Sequence, residues 1–101
     1  MKLRELFTDE SKWNKERYAV DAYGISVDPL NTRYTPVKFC LMGGINYCYR
    51  DAADRKRVCE EIKATIDPAS PHTTNYIIIG WNDDLNRTFA DVKGLVNKLD
   101  I

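Results

Sequence analysis

From Phe39 to Tyr49 the chain runs through Cys-Leu-Met-Gly-Gly-Ile-Asn-Tyr-Cys without a single charged side chain. In a chain of 101 residues, such a stretch dictates the rest of the fold. It falls far short of the roughly 20 apolar residues that span a bilayer. A segment apolar on all sides must therefore be enclosed by the remainder of the molecule. We read residues 37–49 as a buried helix opened by Thr35-Pro36, with threonine as the cap and proline at the first helical position. Cys40, Gly44 and Cys48 then share one face. The Gly43-Gly44 pair costs up to about 2 kcal/mol of helix propensity relative to alanines. Its expected return is close approach by the backbone of a neighbour.

The flanking sequence supplies the wrapping. Leu3, Leu6 and Phe7 fall on one face of a short amphipathic helix within residues 2–12. Tyr18 and Val20 alternate with Arg17, Ala19 and Asp21, and Ile25 and Val27 alternate with Ser26 and Asp28 across a turn ending in Gly24. That pattern predicts a β-hairpin stopped by Asp28-Pro29. Asp51 is placed to cap a helix over 52–66 whose inner side is Val58, Cys59, Ile62 and Ile66. Lys56 with Glu60 and Arg57 with Glu61 lie four apart on its wet side. Asp67-Pro68 and Ser70-Pro71 end that helix. Residues 76–81, Tyr-Ile-Ile-Ile-Gly-Trp, are read as a short buried strand, with a helical turn as the alternative. Residues 82–86 are read as a loop. Thr88 and Asp91 form a capping box before a last helix that buries Phe89, Val92, Leu95, Val96 and Leu99. The expected architecture is one α+β domain over 1–101, with about four helices, a small antiparallel hairpin and one further apolar strand.

Charge narrows the function classes. Fifteen basic residues face fifteen acidic ones, split eight to six in residues 1–50 and seven to nine in residues 51–101. General nucleic-acid binding through phosphates calls for a basic excess, and so does a polybasic membrane anchor. Neither is expected. Met1-Lys2-Leu3-Arg4-Glu5-Leu6-Phe7 lacks the apolar core of a signal peptide. Three cysteines without a CxxC spacing point to reduced thiols in a cytoplasm.

The order of these segments carries a resemblance. Arg17-Tyr18-Ala19-Val20-Asp21, Val27-Asp28-Pro29, Phe39-Cys40-Leu41-Met42-Gly43-Gly44-Ile45 and Trp81-Asn82-Asp83 followed by Arg87-Thr88 cover most of the chain. In that order they resemble a family of small uncharacterised domains of bacteria and their phages, in which Ala is more usual at the second glycine. The resemblance implies the extent of the domain and a bacterial or phage setting, and it implies no reaction.

Four constellations are candidates for chemistry. Cys40, His72 and Asp83 (or Asn82) supply the residue types of a thiol nucleophile, its base and an orienting group. Against that reading, Cys40 is expected about five residues inside its helix among apolar neighbours, where burial raises a thiol pKa. Three cysteines and one histidine match structural zinc in kind, yet Cys40 and Cys48 are eight apart and Cys59 lies on another helix. No metal and no cofactor are expected. Trp81, Asn82, Asp83 and Arg87 could anchor a partner, with Tyr18 and Tyr23 as further contacts and Trp13 and Tyr34 beside them. The competing structural role is a core plug at Trp81, with Asn82 and Asp83 bonding backbone amides. Arg50, Arg55 and Arg57, with Lys56, Tyr47 and Tyr49, could hold a small anionic ligand, although Asp51, Asp54, Glu60 and Glu61 are placed to neutralise them. The first expectation is a non-enzymatic domain that binds another protein, an accessory factor that could modulate a host machine. The alternatives are a binder of nucleotide-type small molecules and a thiol-dependent enzyme using Cys40.

Overall fold

In the computed structural model, which describes residues 1–101, the uncharged segment is the axis of the molecule. Helix α2 (Leu41–Cys48) touches helices α1 (Leu3–Leu6), α3 (Ala52–Ile66) and α4 (Thr74–Asp83), as well as strand β2 (Lys38–Phe39). Its first five residues, Leu41 to Ile45, are all buried. Helix α5 (Phe89–Leu99) packs on α1 and α3. One cluster of 18 buried residues draws side chains from every helix and from β2, so all the helices share a single core. Five helices and a two-stranded antiparallel sheet make this a small α+β domain.

The glycine pair does what its cost implies. A Cβ on Gly43 would land inside the main-chain carbonyl of Tyr18, and one on Gly44 would sit 2.9 Å from the Phe7 ring. The backbone leading into strand β1 (Ala19–Val20) thus lies directly on α2 at Tyr18, and the Phe7 ring packs beside Gly44.

The start of α2 differs from expectation. Thr35-Pro36 does not open it; residues 37–39 are extended and pair with β1 in the register Ala19 to Phe39 and Val20 to Lys38. The Val37 amide donates to the Val20 carbonyl at 2.8 Å and the Cys40 amide to that of Tyr18 at 3.2 Å. Those acceptors come from a segment distant in sequence, so a helix beginning at Val37 would forfeit them. The predicted hairpin survives as a fragment. Gly24 turns with φ of +79°, and Val20 bridges Ser26, but the main partner of β1 is β2 rather than residues 25–27.

Residues 76–81 are helix, not strand. Thr73 caps α4 by accepting from the Tyr76 amide at 3.3 Å, a cap that precedes the isoleucine run. Ile78 and Asn82, four apart, point inward while Tyr76 and Gly80 point out, so the residues follow a helical period. The segment read as a loop at 82–86 begins inside this helix, since Asn82 and Asp83 form its last turn. The N-terminal helix is also shorter than expected. It stops at Leu6, and a separate 3-10 turn, Glu10–Lys12, follows under an Asp9 cap. Asp51 occupies the N-cap position of α3 without a side-chain hydrogen bond, and Arg57 pairs with Asp54 rather than Glu61. The Thr88–Asp91 capping box forms as read. At the far end of α5, Asp100 turns left-handed and pairs with Lys2 at 3.1 Å and Arg4 at 2.7 Å. The Arg4 amide meanwhile donates to the Ile101 carbonyl.

Candidate functional site

Cys40 is the N-cap of α2, not a residue well inside it. Its Sγ accepts from the Gly43 amide at 3.2 Å, satisfying one of the donors that a helix start leaves open. Burial pushes its thiol up to about 11, outweighing the helix amides that favour a thiolate, and the Asp83 carboxylate pushes the same way. Cys40 and Asp83 line a small cavity of about 160 Å³ with Glu16, Arg17, Tyr18 and Ile79. His72 is not among its walls; it lines a different cleft, beside Tyr76. The sequence placed the three residue types in one chain, and the fold gives them no common cavity. Burial also raises the Cys48 thiol to about 11 and moves Cys59 upward. No group of three or more His, Cys, Asp or Glu side chains converges as metal ligands would.

Asn82 is the centre of the largest polar network. It is 0% exposed. Its Oδ1 accepts from the Trp13 indole at 2.7 Å and from the Leu41 amide, the first donor of α2, at 3.0 Å. Its Nδ2 donates to the Asn14 carbonyl at 3.2 Å and to Asp83 Oδ1 at 3.0 Å. An amide side chain offers two donors and two acceptor sites, and all four are used. Asp83 also accepts from the amide of Glu16 at 2.9 Å, holding that residue at φ of +70°, and Lys15 Nζ donates to the Asp84 carbonyl at 2.6 Å. The Asn-Asp pair therefore locks residues 13–16 and the start of α2 to the end of α4. It bonds backbone amides as its structural reading required, but amides remote in sequence rather than those of its own turn. Asn82 presents nothing to a partner.

On the opposite row of α4 lies an open cleft of about 280 Å³ between that helix and the loop following α3. His72 and Tyr76 pair at 4.6 Å between ring centroids on one wall. Half-buried Trp81 forms another, with the Arg87 guanidinium 3.9 Å above its ring. Arg87 Nε donates to the Trp81 carbonyl at 2.8 Å. Gly80 contributes no side chain, and Asp67 and Asp84 stand at the rim.

A third region is exposed and apolar. Tyr18, Tyr23, Ile25, Leu30, Tyr34 and Val37 lie open to solvent, with Tyr23 at 89% exposure. Elsewhere the large exposed hydrophobics are Met1, Tyr76 and Leu85 alone, so the concentration belongs to residues 18–37. Val37 and Gly24 line a groove of about 450 Å³ there, together with Lys15, Arg17, Lys38 and a single carboxylate, Asp21. Nothing in the composition singles out Leu30 or Ile25; Ile25 alternates in step with Val27, yet Val27 is buried and Ile25 is exposed.

The basic cluster does not converge. Arg55 donates to the carbonyls of Tyr49 and Arg50, Arg50 donates to that of Leu30, and Arg57 faces Asp54. Arg50, Arg55 and Arg57 line none of the four cavities. No helix is long and apolar enough to cross a membrane.

A central buried helix, a two-stranded ribbon and four further helices define a small α+β domain with several exposed surface features. The chain belongs to DUF6197, a family of unknown function, whose profile matches residues 2–99. No curated protein and no solved structure matches it.

Proposed function

We propose that this is a non-enzymatic binding domain that docks an acidic segment of another protein on the surface formed by residues 18–37. The observation that carries the reading is the concentration of exposed Tyr18, Tyr23, Ile25, Leu30, Tyr34 and Val37 on one excursion of the chain. Apolar side chains left exposed in such number along one segment are a mark of interaction surfaces, and tyrosine is suited to them because it offers area with little conformational entropy to lose. The neighbouring groove sets Lys15, Arg17 and Lys38 against Asp21 alone, which favours a negatively charged segment. A bacterial or phage-derived accessory factor in the cytoplasm, acting on a host machine, fits this surface and the three free thiols. The nucleotide-type and thiol-enzyme readings draw less support, because Arg50, Arg55 and Arg57 line no cavity and burial keeps Cys40 protonated.

The test is retention of a stoichiometric partner by the immobilised protein from a bacterial lysate, compared with a Tyr23→Ala/Tyr34→Ala variant. The variant is expected to melt like the parent and to lose the partner, whereas Tyr76→Ala and Leu85→Ala keep it. A partner held equally by the double variant would sink the assignment of this surface.

A further inference from the structure

The cleft between α4 and the loop after α3 lies apart from the 18–37 surface, and its walls have a chemistry of their own. The inward row of α4, Ile78 and Asn82, is consumed by the core. The outward row runs Tyr76, Gly80, Asp84 and faces His72 and Asp67 across the opening. Glycine is the least favourable residue but proline inside a helix. A Cβ on Gly80 would meet no atom within 4 Å, so no contact within this chain requires its absence. Gly94 in α5 is equally unopposed but lines no cavity, which makes it the natural control.

Charge decides what such a cleft would accept. The Asp67 and Asp84 carboxylates form no ion pair, since every ion pair in the chain involves Asp54, Asp91 or Asp100 and the Lys15 ammonium serves the main-chain carbonyl of Asp84. Arg87 is the only cation on the wall, and it is already engaged. Its Nε serves the Trp81 carbonyl, its Nη1 faces Asp91 at 3.7 Å and its plane covers the Trp81 ring. That leaves on the walls the Asp67 carboxylate, the Asp84 carboxylate, which also accepts from the Asn86 amide at 2.9 Å, and the Tyr76 ring packed on His72. Aromatic faces attract cations through their quadrupole, and carboxylates add direct attraction. At about 280 Å³ the space suits a head group and part of its stem rather than a drug-sized molecule.

We infer that this cleft binds an organic cation, an ammonium or guanidinium group carried on a lysine or arginine side chain of a partner or on a free amine. The probes are N-acetyl-arginine amide and tetramethylammonium chloride, titrated at constant ionic strength into the 15N-labelled protein, with N-acetyl-glutamate amide as the charge control. Saturable shifts are expected in residues 67–81 and in the Trp81 indole for the cations alone. Asp67→Asn/Asp84→Asn keeps the Asx contact of Asp84 to Asn86 and should weaken binding at least about five-fold. Gly80→Leu should abolish the shifts by filling the opening, while Gly94→Ala leaves them unchanged. Equal response to both cations points to a free amine, and response to the arginine compound alone points to a partner side chain; either supports the site. Saturable binding of the glutamate compound, cation shifts that do not saturate, or affinity indifferent to Asp67→Asn/Asp84→Asn overturns it.

Discussion

The end of α4 and the excursion between β1 and β2 are built from similar residue types and do opposite work. Both combine large aromatics with Asn, Asp and Arg. At the end of α4, Asn82 is enclosed and completes four hydrogen bonds, while Trp13 and Trp81 pack against the core. In the excursion, Asp21, Asp28 and Asn31 accept only from amides of their own turns, and Tyr23 and Tyr34 extend into solvent. The difference lies in the range of the hydrogen bonds. An Asx side chain closing its own turn needs no other part of the chain and leaves its neighbours exposed. The same side chain reaching segments 41 and 69 residues away ties those segments together and is enclosed where they meet. Residue type alone therefore says little about whether a Trp-Asn-Asp or a Tyr-rich turn is structure or surface.

The contrast can be tested by substitutions on each side. The largest effect is expected from Gly43→Ala, which drives a methyl into the Tyr18 carbonyl and must separate β1 from α2. Overpacking against backbone should cost about 3 kcal/mol or more, lowering the melting temperature by about 15 °C or preventing folding. A melt within a few degrees of the parent would show that the ribbon can lift off α2.

Next comes Asn82→Ala. It leaves the Leu41 amide and the Trp13 indole without their acceptor in a buried setting, at an expected cost of about 3 kcal/mol, readable by urea denaturation. If Asn82→Ala proves no more costly than removing an exposed Asx side chain such as that of Asn31, the network is not what joins α2 and α4.

Cys40 occupies the middle of the scale. Cys40→Ala removes the cap and should cost about 1 kcal/mol, whereas Cys40→Ser supplies a hydroxyl acceptor and should restore most of the loss. For pH, the thiols of Cys40 and Cys48 lie near 11 in the folded chain against 9.0 when unperturbed. The folded state thus binds protons more tightly than the unfolded one. That contribution is fully present below pH 9, and stability declines as pH rises from about 9 toward 11. Denaturation midpoints across pH 7 to 11 check the direction, and Cys40→Ser should flatten the decline.

The smallest effect is expected in the excursion. Alanine at Tyr23, Ile25 and Tyr34 together should change stability by less than about 1 kcal/mol, because all three side chains lie outside the buried core. A larger loss would mean that this surface is part of the core's support, and it would undercut its assignment as a docking face.

Some of this was legible in order along the chain. Helix α3 and helix α5 repeat their inward residues over 15 and 11 residues, and α5 carries its own start signal in Thr88 and Asp91. Such patterns are complete within one segment. The Gly43-Gly44 pair announced a close approach for the same reason: an unfavourable choice in a helix needs an outside compensation. The candidate site was only partly legible. Tyr18, Tyr23 and Tyr34 are exposed, yet the sequence could not separate them from Asn82, which the core encloses, or from Trp81, which packs half-buried against it. Tertiary contacts also decided whether residues 37–39 begin a helix or pair with β1, and whether the isoleucine run 77–79 becomes strand or helix. Val37 and Cys40 find their acceptors on Val20 and Tyr18, and Leu41 finds its own on Asn82. A hydrogen bond between remote segments leaves no periodicity in either of them, so local pattern determined the long helices, and the closing of distant donors on distant acceptors decided the rest.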